Sequence, residues 1–325
     1  MRYSRILVLG GSGFVGRHLV AALSAQSIQV TVPARRRERA KQLILLPTVT
    51  VEEADVGDAQ ALAQLASGHD AVINLIGVLH SRRGRADERG PHDYGPDFAH
   101  AHVEVAQAAV AACRKAGVRR LLHMSALGAA PQAPSEYLRS KGVGEQAVMA
   151  AEDLAVTVMR PSVIFGPDDR FLNLFVELAA VLPVLALACP QARFQPVYVN
   201  DVVRVFLAAL ESPQAIGKRY DLCGPRQYTL EQLVEYACAT SGRKRPIVGL
   251  NDRMSYLQAW LMEFSPGPLM TRDNYRSMQV PNVCSEGAAL PLGIAPTALE
   301  AVAPAWLAPD APRTRYPRLR WRARR

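Results

Sequence analysis

The stretch Arg5-Ile6-Leu7-Val8-Leu9-Gly10-Gly11-Ser12-Gly13-Phe14-Val15-Gly16-Arg17-His18-Leu19-Val20 decides the fold of this chain. Its first part is continuously apolar, as a strand covered on both faces must be. Glycines follow at once, and from His18 the pattern turns helical. Gly11, Gly13 and Gly16 give G-x-G-x-x-G; Gly10, Gly13 and Gly16 give G-x-x-G-x-x-G. Glycine turns are common, so the spacing alone is weak. Here it follows a strand and opens a helix. In that context the missing side chains let a pyrophosphate reach N–H groups at the positive end of a helix dipole. Gly10, Ser12, Gly13, Phe14, Val15 and Gly16 are the residues expected around it. A tight turn without a ligand is the alternative.

Further along, Ile28-Gln29-Val30-Thr31-Val32 reads as a second strand, and Arg35-Arg36-Arg37-Glu38-Arg39 follows it. A fold specific for NAD places an acid at the end of this strand, on the ribose 2′-hydroxyl. No acid precedes Glu38, and a guanidinium suits a 2′-phosphate in charge and donor geometry. The expected cofactor is therefore NADP(H), held by Arg35 and Arg36, with NAD(H) as the alternative. A third strand ends in Asp55-Val56-Gly57-Asp58. Asp55 and the Val56 backbone are expected over the adenine, while Asp58 or Asp55 suits a cap for a helix over 59–66. Ala71-Val72-Ile73-Asn74-Leu75-Ile76-Gly77 is a fourth strand, with Leu75, Ile76 and Gly77 toward the ribose. Residues 80–96 read as a mobile loop. His80, His92, His100 and His102 form no convincing metal set and suit surface or packing roles.

An apolar stripe at helical spacing predicts a helix over 98–116, and Arg120-Leu121-Leu122-His123-Met124-Ser125 a fifth strand. Ser125 then falls at its carboxyl end, the ligand-binding edge of an open parallel sheet. In Tyr137-Leu138-Arg139-Ser140-Lys141 the phenol and the amine stand four apart, on one helix face. A phenol is a poor acid–base catalyst near neutrality, and a nearby ammonium is expected to favour its phenolate. Ser125, Tyr137 and Lys141 are the expected catalytic set for hydride transfer between a nicotinamide and a carbonyl or alcohol.

The glycine turn, the strand-end serine and Tyr-x-x-x-Lys, in this order, resemble the short-chain dehydrogenase/reductase superfamily in its extended and atypical branches. Met159-Arg160-Pro161-Ser162-Val163-Ile164-Phe165-Gly166 resembles that superfamily's sixth strand and nicotinamide-positioning turn, which implies contacts from Pro161, Val163 and Ile164. Gln195-Pro196-Val197-Tyr198-Val199-Asn200-Asp201-Val202 resembles the segment that returns the chain to the core. Asp201 there reads as a cap for a helix over 202–210. The superfamily's usual tetrad Asn has no counterpart, because 95–117 contains no Asn. Narrower likenesses, in Asp169-Arg170-Phe171-Leu172-Asn173, in Gln195-Pro196-Val197-Tyr198-Val199 and in Glu263-Phe264-Ser265-Pro266 with Thr271-Arg272-Asp273, are to the complex I accessory subunit family of the alpha subcomplex subunit nine type and its bacterial stand-alone relatives. That resemblance implies a tightly held NADP(H) and, in the mitochondrial subunit, a structural or assembly role. A sugar epimerase or dehydratase using NAD is a third reading.

The resemblance implies an α/β fold, a doubly wound parallel Rossmann sheet with a smaller C-terminal mixed lobe. The expected division is a core over 1–165, with 196–212 returning to it, a lobe over 166–195 and 213–312, and a basic tail. In the lobe, residues 175–189 are apolar around Pro183 and suit a pocket wall. Met254-Ser255-Tyr256-Leu257-Gln258-Ala259-Trp260-Leu261-Met262-Glu263-Phe264 has apolar positions at 257, 260, 261 and 264. Such a stripe most often packs into a core; a membrane surface or a partner protein is the alternative.

Of the 325 residues 49% are hydrophobic, and the net charge is +9. Seven of those charges are arginines between Arg313 and Arg325, leaving +2 on residues 1–312. The tail suits an anionic lipid surface or an acidic protein complex, with a disordered solubilising end as the alternative, and nucleic acid is not the expected partner. No apolar run is long enough to span a bilayer, and the N-terminus has no signal-peptide zones, so a cytoplasmic location, alternatively at the inner face of the membrane, is expected. Cys113, Cys189, Cys223, Cys238 and Cys284 include no close pair and read as buried free thiols in a reducing compartment.

Overall fold

A computed structural model describes residues 3–265, 267–285 and 290–309, so the Arg313–Arg325 tail lies outside the described residues. The chain divides into two compact units. The first comprises residues 1–161, 199–222 and 290–294; the second comprises 162–198, 223–289 and 295–325.

The first unit begins with β1 (Arg5–Leu9), α1 (Phe14–Ala25), β2 (Gln29–Ala34), β3 (Val49–Glu53), α2 (Ala59–Ala66) and β4 (Ala71–Asn74). Then come α3 (Pro96–Phe98), a π-helical turn Ala99–Glu104, α4 (Val105–Ala116), β5 (Arg120–Met124), α5 (Glu136–Met149) and β6 (Ala155–Pro161). The chain leaves for the second unit through β7 (Ile164–Phe165), α6 (Leu172–Val181), β8 (Leu185–Leu187), β9 (Arg193–Phe194) and β10 (Val197–Tyr198). It returns with α7 (Val199–Glu211) and β11 (Lys218–Leu222).

Seven parallel strands stand in the order β3-β2-β1-β4-β5-β6-β11. The order reverses between β1 and β4, where Leu9 pairs with Asn74. Leu7, Leu9, Val72, Leu121 and Val158 pack with residues of α2, α4 and α5. Their strand neighbours alternate to the opposite face, and α1 packs with α7. Ile6, Leu7, Val8 and Leu9 all have 0% exposure, so the sheet is covered on both sides and the doubly wound expectation holds. β11 joins this sheet, although the sequence reading assigned its residues to the lobe.

The second unit adds β12 (Tyr228–Thr229), α8 (Leu230–Thr240), β13 (Ile247–Gly249), α9 (Asp252–Met262), α10 (Arg272–Met278), α11 (Leu299–Val302) and α12 (Pro304–Leu307). Phe165, Leu172, Leu233, Leu299 and Trp306 form one of its cores, and Leu185, Leu187, Leu230 and Val234 another. The stretch 175–189 is divided between α6 and β8.

Four local expectations are corrected. Cys223 and Cys284, 61 residues apart, form a disulfide; Cys113, Cys189 and Cys238 are free and buried. The helix over 98–116 is interrupted by the π turn. Asp201 is not the residue ahead of its helix: α7 begins at Val199, and Asp201 lies in its first turn, ion-paired with Arg204 at 3.0 Å. The segment 80–95 is tied down. Arg89 pairs with Glu136 at 3.0 Å, and Arg139 donates to the carbonyls of His92 and Asp93, both at 2.6 Å.

Candidate active site

Because the sheet is parallel, the turns after β1, β2, β4 and β5 share its carboxyl edge. After β1, the Gly13 N–H donates to the Gly10 carbonyl at 3.0 Å and α1 begins. A Cβ on Gly16 would stand 2.6 Å from Gly11 Cα, so the helix approaches the turn closely only because residue 16 has no side chain. No side chain caps α1. By contrast Asp58, Ser135, Thr229, Asn251 and Thr271 cap α2, α5, α8, α9 and α10. An uncapped helix start next to a glycine turn fits a phosphate-bearing ligand.

Arg35 and Arg36 follow β2 directly and are exposed, with no ion pair among the described residues. Both are thus available to a ligand at that strand end. Asp55 uses one carboxylate oxygen locally, accepting from the Gly57 N–H at 3.0 Å, and Asp58 caps α2 by accepting from Gln60 and Ala61. After β4, the Leu75 N–H donates to the Leu9 carbonyl at 3.0 Å, and the Asn74 side-chain oxygen accepts from the Ile76 N–H at 3.0 Å. The chain then passes Gly77, where a Cβ would stand 2.9 Å from Lys141 Nζ.

Lys141 Nζ donates to the carbonyls of Ile76 and Met124, both at 3.2 Å. One amine thereby ties α5 to the ends of β4 and β5. Ser125 stands one residue past β5, its N–H donating to the Met159 carbonyl at 2.8 Å. Its hydroxyl is buried and has no hydrogen-bond partner among the described residues. Buried hydroxyls are ordinarily satisfied, and this one keeps its donor free for a ligand. The Leu127 N–H donates to the Pro161 carbonyl at 3.0 Å. Val163 and Ile164 belong to the second unit; there the Val163 N–H donates to the Asn282 side chain at 3.0 Å, and Ile164 pairs with Val197.

Around Tyr137 the structure brings in residues outside the expected catalytic and cofactor set. His102, on the π turn, is 1% exposed. Its Nε2 accepts from the Val78 N–H at 3.0 Å, which leaves the proton on Nδ1, 2.8 Å from Ser140 Oγ; Ser140 Oγ in turn donates to the Tyr137 carbonyl at 2.9 Å. The His102 ring stacks on Phe98 at 5.3 Å and meets Tyr137 edge-on at 5.5 Å. The helix-packing role expected of His102 holds, and its hydrogen bonds also join the loop after β4 to the helix of Tyr137. Behind it, the amide of Asn74 lies 3.3 Å from His123 Nδ1. A buried Asn and His in otherwise apolar strands were visible signals.

Burial dominates the titration of these groups. It pushes Tyr137 up to about 12, Lys141 down to about 8, and His123 down to about 3, the last helped by Lys141. Burial, then Lys141 and His123, holds His102 well below its usual range. The expectation that Lys141 lowers the Tyr137 phenol is not met by the protein alone. At neutral pH the site offers a neutral phenol, neutral imidazoles and a largely protonated amine.

A cavity of about 460 Å³ elsewhere in this unit is lined by Gln132, Glu145, Arg160 and Arg219 and includes none of the groups above. Its buried Glu145 already pairs with Arg160 at 2.7 Å and Arg219 at 2.8 Å. Among the described residues no group of three or more His, Cys, Asp or Glu side chains is arranged to hold a metal ion.

A uniformly parallel sheet, a glycine turn at its reversal and a Tyr–Lys helix beside it define a class of nicotinamide-dinucleotide-binding proteins. The chain belongs to the NAD dependent epimerase/dehydratase family, whose profile matches residues 6–223. It is 32% identical over 314 residues to the mitochondrial NADH dehydrogenase [ubiquinone] 1 alpha subcomplex subunit 9 of Mus musculus, covering 90% of this chain and 77% of that one. It is also 32% identical over 250 residues to the ceramide reductase of Caulobacter vibrioides, covering 76% and 74%. A nucleoside-diphosphate-sugar epimerase from Staphylococcus aureus has the same fold, with a TM-score of 0.68 at 17% identity over 91% of this chain and 98% of that one. The resemblance read from the motifs is thus borne out.

Proposed function

We propose that this protein is an NADP(H)-dependent reductase of carbonyl groups on apolar, long-chain substrates. The observation that carries the reading is the buried, unpartnered Ser125 hydroxyl, in the unit that also joins Lys141 to the strand ends. Gly10, Ser12, Gly13, Phe14, Val15 and Gly16 would hold the pyrophosphate, Arg35 and Arg36 the 2′-phosphate, and Gly77 the ribose. The bound dinucleotide supplies the hydride. Ser125 Oγ donates to the substrate oxygen and orients it, and Tyr137 gives that oxygen its phenolic proton as the alcohol forms. Lys141 holds positive charge beside the phenolate left on Tyr137, which solvent reprotonates. Val163 and Ile164, in the second unit, are assigned to the nicotinamide by resemblance alone. The names of two relatives, ceramide reductase and 2-alkyl-3-oxoalkanoate reductase, support a long-chain carbonyl compound as substrate.

Likeness to the alpha subcomplex subunit favours a second reading, in which NADP(H) is a fixed structural ligand. One experiment separates them. The purified chain is loaded with NADPH and offered long-chain ketones, and nucleotide oxidation is followed. Turnover that drops about a thousandfold in Tyr137→Phe, with NADPH still bound, supports catalysis. Tight NADPH binding without oxidation of any ketone favours the structural reading.

A further inference from the structure

We propose that the outward face of α9, together with the chain between α6 and β8 and the turn before β13, seats the second unit on an anionic lipid bilayer. The helix is inside out. Ser255 and Ala259 are fully buried, while Leu257 is 52%, Trp260 39%, Leu261 56% and Phe264 73% exposed. In a water-facing helix the large apolar side chains turn inward, so core packing, the commoner fate of such a stripe, is not what this one does. Polar bonds hold the helix down instead. Ser255 Oγ accepts from the Cys189 N–H at 3.1 Å, and Gln258 Nε2 donates to the Ala186 carbonyl at 3.0 Å.

Those two bonds also set the direction of the helix. Position 255 meets 189 and position 258 meets 186, so α9 runs antiparallel to β8. Its C-terminal half therefore advances toward Val184, Leu182 and Val181, which are all exposed, Val181 by 81%. Val248 pairs with Ala186 in the β8–β13 ladder, and both are exposed. A soluble monomer seldom keeps such a contiguous apolar ridge.

Charge identifies the occupant. Arg243, Lys244 and Arg245 are exposed on the turn before β13. Arg243 donates to the Val176 carbonyl at 3.1 Å and Arg245 to the Ala179 carbonyl at 2.9 Å, which anchors both beside the end of α6 that leads into Val181. Arg253 is exposed in the first turn of α9. Glu263, the acid next to Phe264, is taken up by Arg272 at 2.7 Å, leaving Asp252 and Glu177 as the exposed acids nearby. An apolar ridge carrying a Trp and collared by cations matches an interface of acyl chains and anionic headgroups. No described helix is long and apolar enough to cross a membrane, so the contact lies on the surface.

The test mixes the full chain with vesicles of phosphatidylcholine alone, or of phosphatidylcholine and phosphatidylglycerol, at low and high salt. Sedimentation with the anionic vesicles, little with the neutral ones, and a blue-shifted Trp260 emission are expected. The triple variant Trp260→Ser, Leu261→Ser, Phe264→Ser keeps the basic tail, yet its binding falls about tenfold or more. Arg243→Gln, Lys244→Gln, Arg245→Gln falls by a similar factor and loses part of the salt dependence. Unchanged far-ultraviolet dichroism and NADPH binding establish that the variants fold. A ridge variant that sediments like the parent overturns the proposal in favour of the tail alone. A parent chain left in the supernatant with both vesicle types also overturns it, and a dimer disrupted by the ridge variant then identifies a second copy as the occupant.

Discussion

Around Tyr137, the first unit buries Asn74, His102, His123, Ser125 and Lys141 to 3% exposure or less. Along α9 and the turn that follows it, the second unit does the opposite, burying Ser255 and Ala259 while Leu257, Leu261 and Phe264 face outward. Both regions depart from the ordinary partition of polar and apolar groups, and each is held in place by named hydrogen bonds. A buried amine or imidazole lowers stability unless something recovers the lost hydration. An exposed Leu costs the fold almost nothing, because it is equally wet when unfolded. Departures of the first kind therefore carry a stability signature, whereas departures of the second kind are visible only when a partner covers them.

The sharpest test of this contrast is Lys141→Met. Reductase turnover should fall about a thousandfold, while unfolding free energy rises by about 1–3 kcal/mol as a desolvated charge is removed. Paired kinetics and urea titration would show it, and a variant losing both activity and stability would break the comparison. Next in size, Arg35→Ser with Arg36→Ser should weaken NADPH binding by about thirtyfold, from the loss of charge-assisted bonds. NADH binding, measured by the same fluorescence titration, should stay unchanged. Equal losses for both nucleotides would remove the 2′-phosphate reading.

Acid is the third probe. His123 has its folded pKa lowered to about 3, and His102 is lowered too. Protonation thus favours the unfolded chain, and the stabilisation present above pH ~6.5 is lost as the pH falls from there toward 3. For His123 the loss at pH 5 is about 2 kcal/mol. A melting temperature clearly lower at pH 5 than at pH 7.5, with a smaller drop in His123→Asn, is expected. Lys141 acts in the alkaline window: its folded pKa of about 8 lies below the usual 10.5, so its contribution rises between those values. The smallest effect belongs to α9. Leu257→Ser should change stability by less than about 0.5 kcal/mol in thermal melts, since the side chain is already wet.

The parts of this protein legible in the sequence are those set by neighbours along the chain. Continuous burial of Ile6–Leu9, the glycine turn at Gly10–Gly16 and the four-residue step from Tyr137 to Lys141 follow from strand and helix periodicity. Fold and family could be read from them. The remainder depends on residues that folding brings together. His102 stands 38 residues before Ser140, and Cys223 is 61 residues from Cys284, so no local pattern announces either pair. Burial, which tertiary packing sets, pushed the Tyr137 phenol up where the Tyr-x-x-x-Lys spacing had implied the reverse. The stripe on α9 shows the same division. Helical spacing determined that Leu257, Trp260, Leu261 and Phe264 share a face, but the bonds of Ser255 and Gln258 to the chain at 186–189 decided that this face looks outward.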